Sequence, residues 1–287
     1  YVTEQLGDLM HYVCTINEAN MGIQVAAISA RYRAQMMAKM QRMQQGGAEE
    51  KKDLEGTAQV GMNFNDMMAN MQKQKEENVE IFGTDTLQTF VSARTPEGDM
   101  LVIRAHQAAR AAMKAVKPEL QIGLTLSLHD IQAQEGGEET AAKEWVDEFT
   151  HYVPYIKEDD FFGLQNYSRS LIGPNGILPV PEGAEITQMD YEYYPEGLEH
   201  VIRRVYEEMP MPIMVTENGI ATADDTRRVA YIQTAMKGVE NCIQDGIPVK
   251  GYMYWSMMDN FEWQKGFGMT FGLILSLIHI SEPTRPY

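Results

Sequence analysis

The chain has 287 residues and a formal net charge of −17, from 41 acidic and 24 basic side chains. Nucleic acids and anionic membranes attract cationic proteins, so this balance argues against both as partners and is compatible with a neutral ligand such as a sugar. Hydrophobic residues make up 44% of the chain, enough for a substantial core, and no run of about eighteen apolar residues predicts a transmembrane helix.

The two cysteines, Cys14 and Cys242, form neither a disulfide framework nor a metal-binding spacing. Both lie in apolar segments, so we predict buried free thiols, which suit a reducing, cytoplasmic location. Because the first residue is Tyr1 rather than Met, the lack of a visible signal peptide adds little to this expectation. Nothing in the sequence indicates a metal site or a cofactor.

The first predicted strand is an apolar run at residues 12–16, which ends in Asn17 and Glu18. The segment that follows, residues 31–80, differs in composition, because it is rich in Met, Gln, Lys and Glu. Its Met and Ala spacing predicts an α-helical insertion that packs through flexible thioether side chains. A methionine copper site is the sharper hypothesis, but no histidine lies in the segment.

From about residue 120 onward, four more apolar runs alternate with amphipathic helical stretches. The runs are residues 121–129, 161–167, 212–218 and 249–255, and helical stretches include residues 196–208 and 227–245. Strands that alternate with helices indicate parallel βαβ units. Because each strand ends in polar residues, we predict an α/β fold that is part of a TIM (β/α)8 barrel. A doubly wound open sheet is the alternative, but no glycine-rich phosphate loop follows any strand.

The C-terminal segment breaks this pattern. Residues 275–285 resemble the in-frame translation of a transposon-type sequencing adapter, so we interpret residues 274–287 as non-native sequence. Residues 1–273 are then expected to be the C-terminal part of a single barrel, truncated at both ends.

Two of the strands end in a glutamate with an asparagine beside it. The first motif reads Thr15-Ile16-Asn17-Glu18 and the second reads Thr216-Glu217-Asn218-Gly219. Glycoside cleavage needs one carboxylic acid to protonate the leaving oxygen and one carboxylate to attack the anomeric carbon or activate water. Spacing alone does not assign this chemistry, because a glutamate is by default a solvated surface charge.

The segments around both glutamates resemble glycoside hydrolase family 1, the β-glucosidase family. Thr-Ile-Asn-Glu and Thr-Glu-Asn-Gly resemble its acid/base and nucleophile motifs, and residues 251–263 resemble its sugar-binding segment on the last barrel strand. Residues 160–164 and 194–198 match as well, and all the matches occur in family order. The resemblance implies a retaining β-glycosidase in which the chain supplies strands four to eight of eight.

The resemblance also implies a role for each matching residue at the reacting bond. Glu18 is expected to protonate the departing oxygen and later deprotonate water, and Glu217 to form the covalent glycosyl-enzyme intermediate. In retaining enzymes the two carboxyl groups stand about 5–5.5 Å apart. Asn17 is expected to hydrogen-bond the sugar 2-hydroxyl, and Tyr167 the nucleophile. Gln165 stands where the family more often has asparagine, so its amide role is kept but its reach changes.

Four further residues are expected to bind the far side of the glycone. By resemblance, Glu262 and Trp263 bind hydroxyls, Trp255 offers a flat apolar face, and Phe271 closes the subsite. Core packing is the alternative for the two tryptophans. A carboxylate at Glu262 would repel a phosphorylated sugar, and the intact Glu18 differs from the glutamine of plant thioglucosidases, so an O-glycoside without phosphate fits best.

Three other polar residues are weaker candidates. His129 and Asp130 follow an apolar run and could line the pocket, although we favour a structural role for the histidine. His106 lies in a predicted helix and is not expected to be catalytic.

The family barrel has three more strands than the five predicted here, so we expect the chain expressed as written to be unstable and inactive. The leading hypothesis is a retaining β-glycosidase acting on a β-linked oligosaccharide or an aryl or alkyl β-glucoside. A catalytically inactive sugar-binding fragment and an interaction scaffold built on residues 31–80 are the alternatives. The sequence indicates neither the oligomeric state nor a glucose-to-galactose preference.

Overall fold

The computed structural model describes residues 1–27, 30, 64–85, 87 and 92–274. The chain divides into two compact units, one formed by Tyr1–Asn20 with Met100–Tyr287 and the other by Met21–Asp99. Of the predicted helical insertion, residues 31–63 lie outside the described residues, and so do residues 275–287, which we interpreted as adapter sequence.

Eight strands and seven α-helices have bounds within the described residues, and residues 21–27 are helical as well. The strands are β1 Tyr12–Cys14, β2 Gln121–Ser127, β3 Asp130–Ala133, β4 Phe161–Gln165, β5 Arg169–Gly173, β6 Gly176–Ile177, β7 Ile213–Asn218 and β8 Val249–Tyr254. The helices are α1 Val2–Leu6, α2 Phe64–Phe82, α3 Pro96–Val116, α4 Glu138–Glu148, α5 Val153–Ile156, α6 Gly197–Glu208 and α7 Asp225–Gln244. Three 3₁₀ turns lie at Gly7–Leu9, Thr150–Tyr152 and Trp263–Lys265.

The five predicted strands form one parallel sheet in the first unit. Its order is β1-β2-β4-β7-β8, so each predicted strand pairs with the next one along the chain. A doubly wound sheet would reverse its strand order at a switch point, and this sheet does not. The arrangement is that of an arc of a (β/α)8 barrel, and the predicted fold class is confirmed.

A second, three-stranded sheet was not predicted. It has the order β3-β5-β6, with β3 parallel to β5 and β5 antiparallel to β6. Its strands have four, five and two residues and directly follow the ends of β2 and β4. Strands this short carry too little alternation of apolar and polar residues to be recognised from sequence.

The core of the first unit lies between the parallel sheet and its helices. Every residue of β4 is buried, as expected for a parallel strand that is covered on both faces. Helix α6 buries one face through residues at helical spacing, namely Leu198, Val201, Ile202 and Val205. Both cysteines are free thiols, and Cys242 is buried as predicted whereas Cys14 is only half-buried.

The outer strands of the parallel sheet are β1 and β8. Their burial is lower than that of the central strands: Tyr12 on β1 is 45% exposed and Met253 on β8 is 51% exposed. No strand among the described residues pairs with the outer edge of either one. Among those same residues, no helix combines the length and hydrophobicity needed to cross a membrane.

The second unit contains helix α2 and the start of helix α3. Within it, the backbone of Arg94 donates to the Gly22 carbonyl at 2.9 Å, and the Arg94 guanidinium lies 3.8 Å from the Asp99 carboxylate. Helix α2 covers residues 64–80 of the predicted helical insertion.

Candidate active site

Glu18 lies directly beyond the end of β1, where the backbone is fixed against β2. Its N–H donates to the Thr125 hydroxyl at 2.8 Å, and the N–H of Ala19 donates to the Thr125 carbonyl at 3.0 Å. The Asn20 side chain then pairs with the backbone of Ser127 through bonds of 2.7 and 3.0 Å. Glu18 itself has a φ of 45°, a left-handed conformation that is costly for a non-glycine residue and concentrated at functional sites.

Glu217 lies at the end of β7 with both carboxylate oxygens accepting hydrogen bonds. The Tyr167 hydroxyl donates to Oε2 at 2.7 Å, and the Gln165 amide donates to Oε1 at 2.6 Å. Charge-assisted bonds of this length hold a carboxylate in one orientation. Glu217 is therefore presented by β7 and oriented from the end of β4.

Gln165 links the two glutamate motifs. Besides Glu217, its amide donates to Asn17 Oδ1 at 2.8 Å, and the Thr125 hydroxyl lies 3.2 Å from the same oxygen. The carbonyl of Asn17 is thus engaged, and its NH₂ group is a donor toward Glu217, whose pKa this hydrogen bond lowers. Gln165 is fully buried, and its own Oε1 has no hydrogen-bond partner within the described residues.

The two carboxyl groups differ in electrostatic environment. The pKa of Glu18 is raised to about 7, first by burial and then by the negative charges of Glu217 and Glu262, with His129 acting in the opposite direction. Burial also raises the pKa of Glu217, but there the hydrogen bonds from Tyr167 and Asn17 act in the opposite direction. Glu18 is therefore the better proton donor at neutral pH and Glu217 the better supported anion.

A buried polar cluster holds the end of β7 from behind. The Asn218 side chain donates to the Asn166 carbonyl at 2.7 Å and accepts from the Tyr252 hydroxyl at 2.9 Å. The Tyr231 hydroxyl, 3.1 Å from the Asn218 amide, donates to the Tyr167 carbonyl at 3.1 Å. This cluster connects Asn218, which follows Glu217, to Tyr167, whose hydroxyl donates to the Glu217 carboxylate.

The four predicted glycone residues lie on or beyond the end of β8. Phe271 is buried, with its ring in edge contact with the Tyr167 ring at 6.3 Å between centroids. Glu262 accepts a hydrogen bond from Asn260 at 2.9 Å, and its charge reaches Glu18 and Glu217. Trp255 is half-buried, whereas Trp263 is 64% exposed, so core packing does not explain Trp263.

The three weaker candidates all have protein partners. His129 is 2.8 Å from the Glu148 carboxylate, and its charge acts on Glu18. Asp130 accepts hydrogen bonds from His200 and Gln132, both at 2.7 Å, which is the behaviour of a structural residue.

His106 is fully buried between Thr15 and Asp159. Its Nδ1 lies 2.6 Å from the Thr15 hydroxyl, and its Nε2 lies 3.0 Å from the Asp159 carboxylate. A histidine with no exposed surface cannot meet a substrate, so this chain of contacts braces the residue that begins the first glutamate motif.

Two site residues were missed from the sequence. Thr125 contacts both Asn17 and the Glu18 backbone, and the pKa of the Tyr191 hydroxyl is raised first by burial and then by the negative charge of Glu262. Neither belongs to a motif centred on a catalytic-looking residue. Thr125 lies within β2, so only the strand register could have placed it at the site. Tyr191 reaches the site through a loop contact between residues that are far apart in the sequence.

Comparison with known proteins finds similarity to glycosidases. Residues 158–285 match the family model described as glycosyl hydrolase family 1. The 1,4-beta-D-glucan glucohydrolase of Thermotoga neapolitana is 35% identical over 133 residues, which are 41% of this chain and 31% of that protein. The beta-galactosidase of Sulfolobus acidocaldarius is 28% identical over 206 residues, which are 60% of this chain and 42% of that protein.

Two solved structures cover almost the whole chain. The beta-glycosidase BGL167 is 38% identical with a TM-score of 0.73, over 96% of this chain and 59% of that one. A beta-glucosidase named 1317 is 32% identical with a TM-score of 0.74, over 96% of this chain and 60% of that one. The chain thus spans about three fifths of these two solved proteins and 31% and 42% of the two curated relatives above. The barrel arc, the motif order and these relatives agree in one respect: the chain is similar to glycosyl hydrolase family 1, whose model matches residues 158–285.

Proposed function

We propose that the chain carries both catalytic carboxylates of a retaining β-glycosidase that hydrolyses O-linked β-glucosides or β-galactosides. The observation that carries the proposal is the contrast between Glu18 and Glu217. When the surroundings of two titratable groups push their pKa values apart, one group is suited to act as the acid and the other as the anion. The pKa of Glu18 is raised to about 7, while both oxygens of Glu217 accept hydrogen bonds.

The first step is attack by Glu217 on the anomeric carbon. As the new carbon–oxygen bond forms, the glycosidic bond breaks and Glu18 transfers its proton to the departing oxygen. In the second step Glu18, now a carboxylate, takes a proton from water, whose oxygen attacks the same carbon and releases Glu217. The Asn17 amide would donate to the sugar 2-hydroxyl, a contact that strengthens in the transition state.

The substrate class follows from charge and from the relatives' names. Glu262 places a negative charge near both catalytic candidates, which disfavours a phosphorylated sugar. The two curated relatives described above are a 1,4-beta-D-glucan glucohydrolase and a beta-galactosidase. One relative, of Lacticaseibacillus casei, is a 6-phospho-beta-galactosidase at 28% identity over 161 residues, so Glu262 is the residue on which this choice depends. A reducing, cytoplasmic setting with no nucleic acid or membrane partner completes the proposal.

The proposal is tested in a complete barrel. We would replace the aligned part of the beta-glycosidase BGL167 by residues 1–274 of this chain and call the product the chimera. The chimera is expected to hydrolyse 4-nitrophenyl β-glucoside, and Glu217→Gly is expected to abolish this activity, because the attacking carboxylate is removed. Trapping with a 2-fluoro-β-glucosyl fluoride, followed by peptide mass mapping, should label Glu217.

Azide separates the roles of the two glutamates. In Glu18→Ala, added azide should restore turnover of an activated glucoside and yield the β-glycosyl azide, because the anion replaces water without needing a base. A folded chimera that lacks hydrolysis, or a label on another residue, would refute the assignment. Binding of cellobiose without any turnover would favour the sugar-binding alternative.

A further inference from the structure

A turn at residues 187–191 lies against the loop that carries the glycone residues. The turn is closed by the Thr187 N–H, which donates to the Tyr191 carbonyl at 2.9 Å, and by the Asp190 N–H, which donates to the Thr187 carbonyl at 3.1 Å. It is anchored to the segment after β7 through Gln188, whose N–H donates to the Ala221 carbonyl at 3.1 Å. The turn is therefore fixed relative to Glu217.

Two side-chain contacts join this turn to the loop at residues 262–271, which we call the glycone loop. The Lys265 ammonium lies 2.7 Å from the Asp190 carboxylate. The Gln188 side-chain oxygen accepts from both the N–H and the hydroxyl of Thr270, at 3.0 and 2.9 Å. One contact holds each end of the glycone loop.

The ion pair is partly shielded from water, mainly on the lysine side. The side chain of Lys265 is 13% exposed and that of Asp190 is 32% exposed. Exposed ion pairs contribute little to stability because water screens their charges, and this screening decreases as the pair becomes buried. Lys265 Nζ also lies 3.4 Å from the Gln188 carbonyl, which makes the cation a connection to two residues of the turn.

The backbone at Asp190 is itself strained. Its φ of 67° lies in the left-handed region, which a non-glycine residue adopts only where its surroundings impose it. Glycine would occupy this position without strain, so a carboxylate here costs conformational energy. The contact with Lys265 is the observed interaction that offsets this cost.

Backbone hydrogen bonds within the glycone loop connect Lys265 to Glu262. The Lys265 N–H donates to the Glu262 carbonyl at 2.7 Å, and the Glu262 N–H donates to the Gly266 carbonyl at 2.7 Å. Tyr191, next to Asp190, is near enough to Glu262 to be affected by its charge. Fixing Lys265 therefore restrains the backbone of Glu262, whose carboxylate is proposed to bind the sugar.

We propose that Asp190 and Lys265 are positioning residues that, with the Gln188–Thr270 contact, lock the glycone loop and thereby set the affinity for the glycone. The locking is a property of the protein, whereas its consequence for the sugar rests on the proposed function. The two parts are therefore tested by different measurements.

The locking is tested by hydrogen exchange in the full chain and in the chimera. Lys265→Met and Asp190→Gly are each expected to speed exchange at residues 260–270 by about tenfold, the change expected from losing about 1.4 kcal/mol of local stability. Asp190→Gly is informative because glycine relieves the strain while removing the charge. Lys265→Arg should keep the slow exchange, and Lys237→Met, which removes an exposed pair with Glu240, is the matched control.

The effect on the sugar is tested by steady-state kinetics in the chimera. Loss of positioning should raise KM for 4-nitrophenyl β-glucoside about fivefold with little change in kcat, because uniform binding is lost. A purely structural role would instead lower the amount of folded enzyme, which reduces apparent kcat and leaves KM unchanged. Lys265→Arg should restore the parental KM.

Each outcome decides one part of the proposal. Unchanged exchange in the glycone loop for both Lys265→Met and Asp190→Gly would overturn the locking, as would faster exchange that extends equally to β2 and β4. Faster loop exchange with an unchanged KM would overturn the effect on the glycone. An inactive parent chimera would refute the proposed function, and the exchange data would still decide the locking.

Discussion

Glu18 and Glu217 carry the same functional group in surroundings that treat its charge differently. Glu18 follows a strand end whose backbone is pinned by Thr125, and burial together with two neighbouring carboxylates favours its protonated form. Glu217 receives hydrogen bonds from Gln165 and Tyr167, which favour its anion. Both motifs place the glutamate beside an asparagine. The difference in the favoured protonation state therefore arises from the residues that surround each strand end.

The proton on Glu18 gives a stability prediction. Because its pKa is raised to about 7 from 4.5, the folded state holds this proton more tightly than the unfolded state. Its contribution is fully present below pH 4.5 and is lost as the pH rises through about 7. Glu18→Gln should therefore stabilise the chimera at pH 8, by at most about 3 kcal/mol, and much less at pH 5.

Urea unfolding of parent and variant at both pH values measures this effect. Glu240→Gln, at a side chain that is 57% exposed, is the control and should change stability equally little at pH 5 and pH 8. A Glu18→Gln variant that is destabilised at pH 8 would contradict the stated cause.

The hydroxyl of Tyr167 supports the anionic form of Glu217. Tyr167→Phe removes a 2.7 Å hydrogen bond to Oε2 without removing the ring that contacts Phe271. The pKa of Glu217 should rise, so the acidic limb of the kcat/KM profile should move to higher pH. We expect kcat/KM at neutral pH to fall about tenfold to a hundredfold, as for other charge-assisted bonds. An unchanged acidic limb would show that the bond does not act on the nucleophile.

Individual site residues could be predicted from the sequence where a recognisable motif surrounds them. Glu18, Glu217 and Tyr167 follow from short segments with a recognisable pattern. Thr125 does not, since it acts through a neighbouring strand and its own segment gives no sign of that contact. The partners Asp190 and Lys265 are likewise far apart in the chain and meet only because two loops converge.

Between elements, the end of β7 packs against the end of β8 with no room to spare. A Cβ on Gly219 would lie 2.0 Å from the Trp255 carbonyl oxygen, which belongs to backbone and cannot move aside cheaply. Gly219 completes the Thr-Glu-Asn-Gly motif. Its lack of a side chain lets the nucleophile strand approach the sugar-binding segment.

Gly219→Ala is therefore expected to destabilise the chimera by about 1–3 kcal/mol and to displace the Trp255 segment. Gly251→Ala is a matched control beside the same pair of strands, because a Cβ there would meet Met214 side-chain atoms at 3.7 and 3.8 Å, an ordinary contact. Thermal unfolding and KM measure the two effects. Equal losses in both variants would show that strand propensity, not close approach, is responsible.

The strands of the parallel sheet could be predicted because each is an apolar run with a polar end. Their observed bounds differ from expectation by one or two residues, as for β2, which ends at Ser127 rather than at residue 129. The β3-β5-β6 sheet could not be predicted, because its pairing is set by where β2 and β4 deliver the chain. Helix α6 was clear, since its apolar residues recur at helical spacing.

At the scale of the molecule, the sheet is buried at its centre and open at its sides. The middle strand β4 is buried throughout, whereas β8 has four half-buried and two exposed residues. In the segment after β8, several large apolar side chains that are close together in the chain are exposed to solvent, including Met257, Met258 and Phe261. Unpaired strand edges beside apolar surface favour association with other chains, and the net charge of −17 opposes it.

We therefore expect the chain on its own to be less stable than the chimera, in which we expect the rest of BGL167 to cover the edges of β1 and β8. The chain should bind a hydrophobic dye, unfold at lower urea concentration with a free energy below about 5 kcal/mol, and hydrolyse 4-nitrophenyl β-glucoside only at background level. Gel filtration, dye fluorescence and urea titration of both proteins measure these differences. Because the exposed strand edges and apolar surface are the stated cause, a chain that matched the unfolding midpoint of the chimera without binding the dye would contradict the argument.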